Sequence, residues 1–256
     1  MSLKRNVLAN YFGQAYAAVM ALAFVPLYIK YLGVEAYGLI GLFVVLQAWL
    51  SLLDMGMKPA LAREMARFTG GGLDAQSVWD LLRSVEVLAL GMAALTSVGM
   101  YLVSGWLATS WVRPDQLSEG AVVQAFVLMG LVVAARFVEN IYTNSIAGLQ
   151  RQVLQNAVII VMATLRGLGS VAVLVWVSPT IEAFFIWQGI ISVVTAFIFM
   201  GVVYKILPNP PRAARFSLTE IRNIWKFAAG MMGITFLALL LTQIDKILLS
   251  RLLTLE

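Results

Sequence analysis

The stretch AVVQAFVLMGLVVAARFVENIYTNSIA, residues 121–147, decides what kind of protein this is. Its first fifteen residues are almost wholly apolar, and the whole is long enough to cross a hydrocarbon layer of about 30 Å as a helix. Arg136 and Glu139 then sit inside it, followed by Asn140, Thr143 and Asn144. A charge at mid-membrane costs roughly 2.5–3.5 kcal/mol on insertion scales, so it needs a partner or a wet cavity.

Six further segments have the same character: 7–29, 36–53, 84–107, 152–177, 181–206 and 226–250. Each must be helical, because lipid offers no partner to a free backbone N–H or C=O. The 256 residues are 61% hydrophobic and 12% charged. Soluble domains carry about twice that share of charge, so an all-α, multi-pass membrane protein is predicted. The start of the chain has the outline of a signal peptide, with Lys4 and Arg5, an apolar run and a small-residue stretch at 21–23. Asn10 and Gln14 interrupt that run, and it stays apolar through Ile29, which fits a retained first span.

There is no Cys and no His. Thiolate chemistry, imidazole bases and most transition-metal sites are thereby excluded, and no cofactor is expected. The net charge of +5 is not a nucleic-acid footprint, because the basic residues gather in particular loops. Twelve of the 18 fall at one end of the spans: Lys4, Arg5, Lys58, Arg63, Arg67, Arg83, Arg151, Lys205, Arg212, Arg215, Arg222 and Lys226. Lys30, Arg113, Lys246 and Arg251 fall at the other, and Arg136 and Arg166 lie within spans. That bias predicts a cytoplasmic N-terminus in the inner (cytoplasmic) membrane.

Two connections are long. Asp54 to Arg83 holds KPALAREMARFTGGG, in which 59–68 reads as a short amphipathic helix. Leu61, Met65 and Phe68 recur at helical spacing, with Arg63, Glu64 and Arg67 facing elsewhere, toward anionic headgroups. Leu207 to Trp225 contains Pro208, Pro210 and Pro211, which mark a break. A faint repeat links KYLGVE (30–35) with RLLTLE (251–256) at an offset of 221, which also sets Arg5 against Lys226.

Along a helix, Arg136, Asn140, Thr143 and Asn144 share one face, and Glu139 lies within reach of Arg136. Arg166 stands near the middle of the next span with no acid within a turn of its own helix. The bland readings are an Arg136–Glu139 pair closed on itself, or Glu139 pairing with Arg166 across the helix interface. The functional reading is a cavity wall that binds an anion, since guanidinium holds phosphate bidentately and never loses its charge. Asn6, Asn10 and Gln14 form a second polar stripe, suited to sugar hydroxyls or to helix–helix contact. Asp245 and Lys246, near the end of the seventh span, suit a headgroup-level pair or an ion-coupling or gating carboxylate. Trp106, Trp111, Trp176, Trp187 and Trp225 read as an interfacial belt.

YLGVEAYGLIGLFVVLQAWLSLLDMGMKPALAREMAR (31–67) resembles the start of the polysaccharide (O-antigen type) flippase family, within the multidrug/oligosaccharidyl-lipid/polysaccharide exporter superfamily. The likeness rests on the YLG-x-E-x-YG turn, on Asp54 and Gly56 closing span 2, and on the run ending at Arg63. QIDKILLSRLL (243–253) resembles the family's seventh span. The resemblance implies a six-span lobe over 1–207, a basic linker over 208–225 and the first span of a second lobe over 226–256. Two-lobed layout further implies a gene that continues past Glu256. It implies a transporter, not an enzyme, that moves a polyprenyl-pyrophosphate-linked glycan between leaflets by alternating access. Its other partners would be membrane lipids and further polysaccharide-assembly membrane proteins. Arg136, Glu139, Asn140, Asn144 and Arg166, with Asn10 and Gln14, are the candidate substrate-binding residues. The rival readings are a multidrug exporter of the same superfamily, a membrane-embedded transferase acting on lipid-linked sugars, and a non-transporting membrane partner.

Overall fold

The computed structural model describes residues 3–112 and 117–252, with side chains over 4–112 and 117–241. The helices are α1 (Leu3–Ala23), α2 (Val25–Leu32), α3 (Val34–Leu50), α4 (Met57–Thr69), α5 (Ala75–Trp106), α6 (Glu119–Gly148), α7 (Gln152–Trp176), α8 (Ile181–Ile206) and α9 (Leu218–Leu252). A 3-10 turn at Ser51–Asp54 follows α3, and a π turn at Leu107–Val112 follows α5. Among the described residues, seven helical stretches are long and apolar enough to cross a membrane, α1 and α2 together making the first. This is an all-α, multi-pass membrane protein.

The first span breaks at Phe24, two residues before Pro26. Proline has no N–H to continue the ladder and its ring crowds the preceding turn, so the helix kinks there. α6 is the central post, packed against α5 and α8 along most of its length, with α4 crossing its C-terminal half. α1 leans on α7. Lipid tails give no hydrophobic drive between helices, so close backbone approach does much of the holding. Gly148 shows this. A side chain there would run into the Ala62 carbonyl of α4.

The turn into α4 is built by the Asp-x-Gly signature. Asp54 Oδ1 accepts from the Gly56 amide at 2.9 Å, and Oδ2 pairs with Lys58 at 2.9 Å. Met55 and Gly56 both adopt left-handed backbone, at φ 52° and 71°. Gly56 also abuts the Ala228 carbonyl of α9, so no larger residue fits. Asp54 is a turn organiser, as an Asx turn requires.

Three expectations need correction. The helix predicted at 59–68 is α4, but it wedges between α5, α6 and α9, and Glu64 is buried rather than facing elsewhere. Arg67 at 2.7 Å and Arg63 at 4.0 Å neutralise it. The helix of the third span begins at Ala75, not 84, capped by Asp74, whose Oδ2 accepts from the Ser77 amide at 3.2 Å. The helix of the seventh span begins at Leu218, not 226. Ser217 caps it, accepting from the Glu220 amide at 3.3 Å, and Ser217–Glu220 has the spacing of a capping box. In both cases nearby charged residues disguise helix as loop.

The linker is not a loose tether. Asp80, buried on α5, accepts from the Arg212 guanidinium at 2.6 Å, the Arg215 amide at 2.8 Å and Gln76 at 3.0 Å. Trp79 donates to the Pro208 carbonyl at 2.7 Å, and the Ser217 amide to Ser84 at 2.8 Å. Further along α5, buried Glu86 accepts from Tyr142 at 2.9 Å and Tyr204 at 2.7 Å and pairs with Arg83 at 2.9 Å.

Candidate functional site

A cavity of about 530 Å³ opens between the first, second, fourth, fifth and sixth spans. The kink at Phe24 lies on its wall, with Ala17 and Met20 before the bend and Val25 and Tyr28 after it. The lining is mostly apolar and aromatic, with a few convergent polar groups, the usual make-up of a small-molecule site. Those groups are Gln47 from α3, Arg136 and Glu139 from α6, Arg166 from α7, and Gln188 and Thr195 from α8.

Arg136 and Glu139 do not close on each other. Arg136 Nη1 donates to Gln47 Oε1, its guanidinium carbon lies 5.2 Å from the centre of the Phe43 ring, and Nε is buried without a hydrogen-bond partner. Glu139 instead faces Arg166, at 3.6 Å between Oε2 and Nη2. That separation is an ion pair but too long for a good hydrogen bond. Arg166 shares the same nitrogen with Ser192 Oγ at 3.3 Å. The cavity thus holds two guanidinium groups against one carboxylate.

Of the residues singled out in the sequence, the cavity wall includes Arg136, Glu139 and Arg166 but, among the described residues, not Asn140, Asn144, Asn10 or Gln14. Asn144 Nδ2 is spent on the Asn140 carbonyl at 2.8 Å. Asn10 meets Asn156 of α7 at 3.4 Å, and Asn6 reaches the Gln150 carbonyl at 3.2 Å, so this stripe joins α1 to α7. Gln14 is exposed. The side chains of Asp245 and Lys246 lie outside the described residues, as do Leu253 and Glu256 of the faint repeat. Trp187 lies against Gly169 and donates to the Leu165 carbonyl at 3.3 Å, whereas Trp106, Trp111, Trp176 and Trp225 are exposed.

Gln47, Gln188, Ser192 and Thr195 were not foreseen. Gln47 is the one strongly polar residue inside the second span, and 188, 192 and 195 recur at helical spacing through an apolar span. That stripe could have been found by the same periodicity that found Arg136. It extends to α7, where Gln188 donates to Ser170 at 3.2 Å.

The described residues thus form a multi-pass helical bundle with a polar-centred cavity between its spans. The chain belongs to the polysaccharide biosynthesis protein family, whose model matches residues 3–256. No curated protein matches it. Its fold is similar to an outward-facing multidrug resistance MATE family transporter of the MOP superfamily, with a TM-score of 0.70 at 10% identity over 90% of this chain and 51% of that one. It is also similar to a MOP superfamily transporter from Pyrococcus furiosus described by the reverse polarity of its binding pocket, with a TM-score of 0.68 at 13% identity and the same coverages. The chain therefore spans about half the length of these solved structures.

Proposed function

We propose that this chain forms one lobe, with the first span of a second, of a flippase that moves a lipid-linked glycan across the cytoplasmic membrane, its N-terminus in the cytoplasm. The lobe comprises residues 1–207, and 208–217 leads into the helix of the second-lobe span. The observation that carries this reading is the charge of the cavity, where Arg136 and Arg166 outnumber Glu139. An anionic headgroup, the pyrophosphate of a polyprenyl carrier, is the cargo that such a site favours. Membership of a polysaccharide biosynthesis family supports the glycan. Gln47, Gln188 and Thr195 replace Asn140, Asn144, Asn10 and Gln14 as the polar groups placed to meet it.

Likeness to a multidrug resistance transporter supports the alternative of an exporter for organic cations. A cation would enter a site whose two arginines already exceed its acid, so the charge balance speaks against it. The test is a flip assay in proteoliposomes with the full-length gene product and a fluorescent prenyl diphosphate. Arg136→Ala and Arg166→Ala should abolish flipping at normal expression, and Arg→Lys should rescue it partly, because ammonium lacks the planar fork. Unchanged flipping in both alanine variants would overturn the assignment.

A further inference from the structure

Among the described residues Glu86, Asp80 and Glu64 are buried acids, and Glu139 is half-buried. Glu86 receives two tyrosine hydroxyls and a guanidinium, all within 2.9 Å. Asp80 receives three donors within 3.0 Å, and Glu64 an arginine at 2.7 Å. These are what a low-dielectric surrounding demands of a carboxylate held for structure. Glu139 is different. Its Oε2 is buried without a hydrogen-bond partner, and its contact with Arg166 is 3.6 Å. Among the described residues it is also the one acid on the cavity wall, beside the two guanidinium groups that would hold an anion.

We propose that Glu139 is a resident competitor for the ligand's phosphate: it engages Arg166 between ligands, yields it when an anion binds, and recaptures it as the anion leaves. This rests on the reading of Arg136 and Arg166 as an anion site. A carboxylate and a phosphate cannot share one guanidinium edge at close range without strong repulsion. One must therefore displace the other, and a loosely bonded carboxylate gives way at little cost. The reward for keeping it is release. A carrier that held a multiply charged headgroup with two unopposed arginines would bind well and discharge slowly, and conduction across a membrane needs sites weak enough to leave. The fit of Arg166 to both Ser192 and Glu139 gives the guanidinium a second partner during the exchange.

The test uses the full-length protein, with farnesyl diphosphate binding measured by calorimetry in nanodiscs and flipping of a fluorescent prenyl diphosphate in proteoliposomes. Glu139→Gln should bind the probe about tenfold or more tightly, because a repelling charge is gone, yet flip it more slowly. Glu86→Gln, which removes an acid away from the cavity, should leave the affinity unchanged. A merely structural Glu139 would weaken binding and flipping together, and equal or weaker binding by Glu139→Gln overturns the inference while leaving the arginine site standing. If wild type itself binds no farnesyl diphosphate, the anion site fails and the inference with it. Should Glu139→Gln not fold, Glu139→Asp, one methylene shorter and less able to reach Arg166, is read in the same direction.

Discussion

Glu139 of α6 faces Arg166 of α7 at 3.6 Å, although Arg136, three residues before it on the same helix, is the nearer basic residue in sequence. Arg136 turns instead to Gln47 on α3 and lies over the Phe43 ring. The two arginines are thus held by different neighbours, one by a neutral amide and one by an acid. The cavity between them keeps an excess of positive charge.

Gln47 is the position at which that excess can be cancelled without removing either arginine. Gln47→Glu would give Arg136 a carboxylate partner at the same place, so the protein should fold with equal or higher melting temperature. Its affinity for farnesyl diphosphate should fall about tenfold or more, as expected when a like charge faces the ligand. Gln47→Leu should do the opposite to stability, leaving a buried guanidinium donor unmet at a cost of about 1–3 kcal/mol. Binding that is unaffected by Gln47→Glu would remove charge balance as the basis of selectivity.

The docked linker makes its own prediction. Asp80→Ala removes the acceptor for the Arg212 guanidinium and the Arg215 amide. Release of that backbone should speed trypsin cleavage after Arg212 and Arg215 severalfold, because cleavage follows local opening. Mass spectrometry of a timed digest in detergent reads it out. An unchanged rate would mean that Trp79 and Ser84 hold the segment alone.

Spans were legible because lipid imposes one rule on every residue that faces it, and the seven apolar runs obey that rule. Their ends were not. Asp80 and Arg83 look like loop residues until Arg212 and Glu86 are seen to neutralise them; Arg212 comes from a distant part of the chain, while Glu86 lies one turn on in the same helix. Arg136 and Arg166 could be picked out because a charge in an apolar helix stands alone. Their partners depend on which helices meet, which periodicity within one helix does not contain. Asn140 and Asn144 share a helical stripe with Arg136, yet a shared stripe only sets direction, and the cavity wall takes in Arg136 and Glu139 alone from that part of α6.

Glu86 ties three helices through Tyr142 and Tyr204. Each tyrosine hydroxyl donates to the same Oε1, so loss of one leaves the other bond in place. Tyr142→Phe and Tyr204→Phe should each destabilise by about 1.5–3 kcal/mol, the range for hydrogen bonds to a charged group. The double variant should cost more than the two singles combined, because the buried carboxylate then keeps only Arg83. Melting of all three variants in one detergent gives the coupling, and strict additivity would argue against a shared acceptor.

Membrane orientation is open to direct measurement, and the absence of cysteine from the sequence makes the experiment clean. The linker and the loop after α4 lie at one end of the bundle, and the α7–α8 connection lies at the other. Ala213 and Gly71 are exposed at the first, Val177 at the second. The proposed topology, with a cytoplasmic N-terminus, puts the first end in the cytoplasm, as the positive-inside tendency expects from the basic residues of the sequence. Single substitutions Ala213→Cys and Gly71→Cys are not equivalent here, since Gly71 has φ 78° and resists a side chain, so Ala213 is the useful site. In intact cells a membrane-impermeant maleimide should modify Val177→Cys and spare Ala213→Cys, and permeabilisation should expose Ala213→Cys. The reverse pattern would invert the topology, and with it the face from which the cavity is loaded.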